Sequence, residues 1–194
     1  MNTTYPTNMS DSQWRAILVI LKDKRKRKHS LREIVDAIFY MLKTGCQWRM
    51  LPHDFPKWQL VYYYFNKWKL EGTIEEIHEV LRDKTRKDAG RERSPSLGLI
   101  DSQSVKTTRS GGLCRERLMV GNTKKAFGWV LEIILRKDDS PKFQVIPQRW
   151  VVEKTFAWFE SYRRLSKDFE YYTETSQTMI QLAMIKLMLN RIKV

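Results

Sequence analysis

Between Ser30 and Gly45 the chain carries a full set of helix instructions, and these constrain its fold more than any other stretch. Ser30 followed three residues later by Glu33 is a reciprocal capping pair, in which each side chain satisfies the other residue's amide. Ile34, Ala37, Ile38, Met41 and Leu42 recur at the spacing of one helix face, and Gly45 supplies a left-handed residue to end it. Related patterns flank this helix. Ser10 or Asp11 caps one bearing Trp14, Ile17, Leu18 and Leu21. Cys46 to Pro56, with Pro52 and Pro56, reads as a turn. A third helix from Trp58 puts Tyr62, Phe65 and Trp68 on one side and stops at Gly72, and Thr73 caps a fourth through Ile74, Ile77, Val80 and Leu81. Four short helices with aromatics and interleaved lysines fit a helix-turn-helix-like module, and equally a helical bundle without a nucleic-acid role. Residues 1–9 are polar and expected to fray.

The pattern changes after the fourth helix. Lys84 to Ser96 is polar and basic, with a linker expected over 86–96 between a helical domain (10–85) and a second domain (97–194). Leu97 to Ile100 is a short apolar run ending in Asp101. Trp129 to Leu135 reads as a second strand and Phe143 to Ile146 as a third. Helices are expected from Arg149 to about Tyr162 and, amphipathic, from Ser176 to about Arg191. The fold class expected is therefore α+β, in a chain of 194 residues, a length suited to one or two domains.

Charge narrows the partners. The 36 Lys and Arg outnumber the 22 Asp and Glu, leaving a formal net charge of +14. Residues 1–95 hold 19 basic and 12 acidic side chains and the remainder 17 and 10, so the excess is spread evenly rather than carried on a tail. Such a balance favours polyanions through long-range attraction and counterion release. Lys22 to Lys28 is basic at six of seven positions; it fits a phosphate-holding loop and a solvated loop alike. Tyr62-Tyr63-Tyr64-Phe65 contains rings able to stack on bases, but on a helix half of them must face the core. No apolar run approaches the ~20 residues of a membrane span, and no leader pattern opens the chain. Cys46 and Cys114 are too few and too far apart for a disulfide framework or a zinc site, which fits a reducing intracellular compartment.

Two acidic residues are placed to do chemistry. Asp101 closes an apolar strand pattern, and Glu153 lies one helical turn after Arg149. A strand-end Asp with a helical Glu is one way to hold Mg2+ or Mn2+, since hard cations take oxygen ligands. An Arg149–Glu153 pair on a helix surface and a turn-capping Asp101 account for the same residues without a metal. Phosphate-binding glycine loops, a nucleophile elbow and a zinc-protease motif are absent from the sequence.

Several blocks nonetheless resemble one family. Leu31-Arg32-Glu33-Ile34 through Tyr40 and Thr44-Gly45-Cys46-Gln47-Trp48-Arg49-Met50-Leu51-Pro52 are similar to bacterial insertion-sequence transposases of the DDE class, in the family of insertion sequence five. So are Trp58-Gln59 with Tyr62 to Phe65, Ile100-Asp101-Ser102-Gln103-Ser104-Val105-Lys106, Arg149 to Trp158, Arg163 to Asp168 and the helix around Ala183-Met184-Ile185.

The resemblance implies a DNA-binding helical domain followed by a ribonuclease-H-like core that cuts and rejoins element ends with divalent metal. By motif, Asp101 matches the first carboxylate of the catalytic triad, Glu153 the third and Arg149 the signature arginine. Ile146 stands where that signature usually has tyrosine. The cations expected against the terminal inverted repeats are Lys24, Arg25, Lys26, Arg27, Lys28, Arg49, Lys67 and Lys106. Family partners are DNA and further transposase copies, like or intact; the setting is the bacterial cytoplasm, at the nucleoid. One departure is large. The segment that bears the second carboxylate is reduced to Gly111 through Phe127, which contains no Asp. The resemblance thus implies an internally deleted copy with crippled catalysis, or a DNA-binding module that competes with an intact enzyme. Removal of inner strands would leave unpaired sheet edges in its second half.

Overall fold

The structure is a computed structural model that describes residues 4–21, 28–95 and 149–191. Among these residues the regular elements are all helical: α1 (Asp11–Leu21), α2 (Leu31–Thr44), α3 (Trp58–Leu70), α4 (Thr73–Asp88), α5 (Arg149–Glu160) and α6 (Thr173–Leu189). Short 3-10 turns cover Trp48–Met50 and Arg163–Leu165. The strands expected at 97–100, 129–135 and 143–146 lie outside the described residues, as does the segment from Gly111 through Phe127.

The helix starts follow the capping chemistry. The Ser30 hydroxyl accepts the Glu33 amide at 3.1 Å while the Ser30 amide donates to Glu33 Oε2 at 3.3 Å. Ser10 and Gln13 form the same reciprocal arrangement ahead of α1, at 3.3 and 3.2 Å. The expected Thr73 cap is corrected: Gly72 takes that position in the left-handed region, and Thr73 is the first helical residue. Glu71 and Gly72 alone separate α3 from α4, so the residue that turns the chain also starts the next helix. α4 runs on to Asp88, about two turns past Leu81.

α2 is the central helix, buried along nearly its whole circumference from Leu31 to Leu42. α3, α6 and the Arg163–Leu165 turn pack around it, α4 lies along α6, and α1 meets α4. One apolar cluster joins Ile17, Ile38, Phe39, Phe65, Leu81, Met179 and Leu189, so helices from both ends of the chain share a core. α6 begins at Thr173, three residues earlier than expected, and is enclosed by α2 and α4 rather than amphipathic: Leu182, Ala183 and Ile185 are all buried, as are Lys186 and Leu189.

Residues 4–9, expected to fray, are held. Tyr5 stacks on Phe55 at 5.0 Å and meets Tyr40 edge-on at 4.9 Å, and its hydroxyl donates to Asp54 at 2.8 Å. Met9 is buried, and its amide donates to Asp36 Oδ1 at 2.8 Å. Asp36 is a carboxylate inside α2. Burial pushes its pKa above the ordinary value, against the lowering pull of the Met9 amide and of the Arg32 and Lys186 charges. Lys186 is buried too, and its own pKa is driven down by burial, with Asp36 opposing. Its ammonium donates to Gln13 Oε1 at 3.3 Å and lies 5.2 Å from the centre of the Phe39 ring.

A raised folded-state pKa for an acid means that the folded chain holds its proton where the unfolded chain has lost it. Stability from Asp36 is therefore greatest in acid and falls as pH rises from the unfolded value of 3.8 through the higher folded value. The stability difference between the natural chain and Asp36→Asn, measured by urea unfolding across a pH series, should shrink or reverse as pH rises through that window. A pH-independent difference would refute the assignment.

Gly45 ends α2 at φ 71°, and a Cβ there would stand 3.0 Å from Arg163 Cβ. Gly72 has the same φ with nothing within 4 Å. Gly72→Ala should cost about 1–2 kcal/mol, the left-handed penalty alone. Gly45→Ala should cost more, because the Arg163–Leu165 turn must also move off α2. Equal losses in denaturant unfolding would show that the close approach is relaxed without cost.

Candidate nucleic-acid interface

The predicted catalytic residues fall on two sides of the described boundary. Asp101 lies outside it. Arg149 is the first residue of α5 and Glu153 stands one turn later, exposed. Lys154, next to Glu153, holds its ammonium 4.9 Å from the Trp150 ring centre and 5.4 Å from that of Trp158. The Arg191 guanidinium approaches Trp158 at 4.6 Å. Among the described residues of α5 none is buried, and Trp150, Val151 and Phe156 are exposed. Among the described residues no group of three or more His, Cys, Asp and Glu could hold a metal ion. Glu153 is the single predicted metal ligand placed, and alone it does not make a cation site.

What carries α5 is the connection from Ser161 to Tyr172. Its first residues are clamped to α2: Lys43 donates to the Ser161 carbonyl at 2.6 Å and lies 5.2 Å from the Tyr162 ring centre. Tyr162 is buried, which pushes its phenol up to about 12. The Arg164 guanidinium pairs with Glu170 Oε1 at 2.6 and 2.8 Å, both side chains being largely enclosed. Asp168 Oδ1 accepts the Glu170 amide and the Ser176 hydroxyl, tying the loop to the start of α6. A pair this enclosed is destabilising to break, because its surviving partner is left charged and desolvated. Arg164→Ala should therefore lower stability by about 3 kcal/mol and open the 161–172 connection to limited proteolysis. Unchanged cleavage in that segment would show that the pair does not hold it.

The predicted DNA-facing cations also divide. Lys24, Arg25, Lys26, Arg27 and Lys106 lie outside the described residues. Lys28 is exposed beside the start of α2. Lys67 is half-buried and 3.9 Å from Glu71 within its own helix. Arg49 is exposed on the Trp48–Met50 turn, its guanidinium 5.5 Å from the Trp58 ring centre. That turn packs against α3, with the Trp48 ring 5.3 Å from Tyr62 in an edge-on contact. The tyrosine run divides as helical geometry requires: Tyr64 and Phe65 are buried, whereas Tyr62 and Tyr63 are exposed at 41% and 57%.

Gln59, from the Trp58-Gln59 block, lies on this surface, and Asn66 and Lys57 join it without having been singled out by motif. Lys57 and Gln59 are exposed and Asn66 is half-buried. The signal available in the sequence was negative: residues 55–70 contain no Asp or Glu in a chain that has 22. Lys69 faces another way, donating to Thr175 Oγ1 at 3.0 Å and so joining α3 to α6.

Comparisons with known proteins give two family matches along the chain. Residues 9–78 match a domain family described as a transposase of the IS4/5 family. Residues 121–190 match the family described as the transposase DDE domain. The first match covers α1, α2, α3 and the start of α4; the second contains Arg149, Glu153 and α6, while Asp101 falls between the two. No curated protein and no solved structure gave a match. Among the described residues no helix is long and apolar enough to cross a membrane.

Proposed function

We propose, from the premise that this chain belongs to the insertion-sequence DDE transposases, that it binds the terminal inverted repeats of its element through its N-terminal helices and is crippled in cutting them. The observation that carries the DNA half of this reading is the coincidence of the IS4/5-family match over 9–78 with a packed helical unit whose exposed α3 face is aromatic and flanked by the exposed cations Arg49 and Lys57. Phosphate contacts by exposed Lys and Arg supply sequence-independent attraction and orientation.

The catalytic half rests on composition. Asp101, Glu153 and Arg149 are the residues that match the family's reactive set. The stretch where a second Asp belongs, Gly111 through Phe127, has none. Divalent metal, Mg2+ or Mn2+, supplies the family's phosphodiester cleavage and strand transfer. Two carboxylates are a poor set for two cations, and hydrolysis with one ligand missing falls by orders of magnitude.

That same absence favours a second reading, in which the chain competes with an intact transposase for its ends or joins it in a mixed assembly. Its place of action in either case is the bacterial nucleoid.

Duplexes carrying the inverted repeats that flank its gene, and scrambled versions of them, test both halves. Fluorescence anisotropy should show preference for the repeats, and incubation with Mg2+ or Mn2+ should leave them intact. Equal affinity for scrambled DNA would overturn end recognition. Metal-dependent nicking that disappears in Asp101→Asn would overturn the crippled site and require another carboxylate in the missing role.

A further inference from the structure

We propose that duplex DNA is read by α3 and the Trp48–Met50 turn, not by α4. This rests on the DNA-binding reading above and names the surface that performs it.

The short Glu71–Gly72 connection makes α3 and α4 look like the two helices of a helix-turn-helix, in which the second enters the major groove. Charge and packing argue against that assignment here. Glu75, Glu76 and Glu79 are exposed over the first two turns of α4, where a groove-entering helix would bring them between two rows of phosphates. The opposite side of α4 is also committed: Ile74, Ile77 and Leu81 are buried, and the helix lies along α6.

α3 has the properties that α4 lacks. Gln59, Tyr62, Tyr63 and Asn66 recur at i, i+3, i+4 and i+7 and so share one face. Gln and Asn carry the paired donor and acceptor that match adenine in the major groove, and tyrosine can donate to phosphate. The Trp48–Met50 turn extends this face. It is anchored by the Trp48–Tyr62 contact, offers the Arg49 guanidinium, and exposes Met50 at 70%. Lys57 adds a second exposed cation directly before α3. Of the two carboxylates that flank this surface in sequence, Asp54 accepts the Tyr5 hydroxyl and Glu71 pairs with Lys67. The surface therefore offers cations for backbone phosphates beside amides for base edges, with no carboxylate of its own from Phe55 to Leu70.

The test uses the full chain and a fluorescein-labelled duplex of random sequence, titrated over a salt series. Arg49→Ala and Lys57→Ala should each weaken binding about fivefold or more and reduce the salt-dependence slope by about one. Gln59→Ala with Asn66→Ala should leave that random-duplex slope unchanged. The same double variant should lose preference for the sequences that the natural chain selects from a random pool. Glu75→Gln with Glu79→Gln should bind within about twofold of the natural chain. All these positions are solvent-facing or half-buried, and unaltered melting temperatures would show that the fold is kept.

Natural-chain binding with unchanged affinity in the Arg49 and Lys57 variants would overturn the surface and leave the DNA-binding reading standing. Strengthening by about tenfold or more in the Glu75 and Glu79 variant would place DNA against α4 and also overturn it. Failure of the natural chain to bind any duplex would overturn both readings together.

Discussion

A carboxylate buried in the middle of α2 is the constraint around which the rest of the molecule is arranged. Asp36 sits on the helix against which α3, α6 and the Arg163–Leu165 turn pack, where an unpaired charge would be very costly. Its partners come from different parts of the chain: the Met9 amide from the N-terminal segment, Arg32 one turn earlier in α2, and Lys186 from α6. Arg32 in turn holds the Met9 carbonyl and Asp11, and Lys186 holds Gln13, which donates to Asn190. The two ends of the described chain thus meet over one partly buried polar network. Such a network penalises any docking of α6 that slips in register, because a shifted helix takes the buried Lys186 ammonium away from Gln13 and Asp36.

That closure has a consequence for the functional surfaces. α6 lies within the region matched by the DDE-domain family, yet its side chains complete the core of the helices matched by the IS4/5 family. Directly before it, the 161–172 connection is hooked onto the end of α2 by Lys43 and by the close approach of Gly45 to Arg163, and is braced within itself by the enclosed Arg164–Glu170 pair. The helix bearing Glu153 is therefore anchored at its C-terminal end to the same body that presents α3.

Much of the helical half was legible from residue types. Ser30, Glu33 and Gly45 mark their helix because capping and left-handed turns are local chemistry, decided within a few residues. The Tyr62 to Phe65 run was legible as half core and half surface for the same reason, since helical geometry alone divides it. Thr73 misled because a hydroxyl residue at a helix start is a good cap only if the preceding turn leaves that position to it. Gly72, ending α3, had already taken it. Residues 4–9 misled because they are polar locally and are held by Asp36, Phe55 and Asp54, all distant in sequence.

The sequence by itself determined where the N-terminal helices begin and turn, how positive the chain is, and which family its motifs resemble. Each of these depends on neighbouring residues or on composition. Only the tertiary structure decided that α6 is a core helix, that Arg163 closes on Gly45 at the end of α2, and that Arg49 stands beside the exposed face of α3. Those facts arise from contacts between residues far apart in the chain. Hydrophobic periodicity reports which face of a helix is buried but not what buries it.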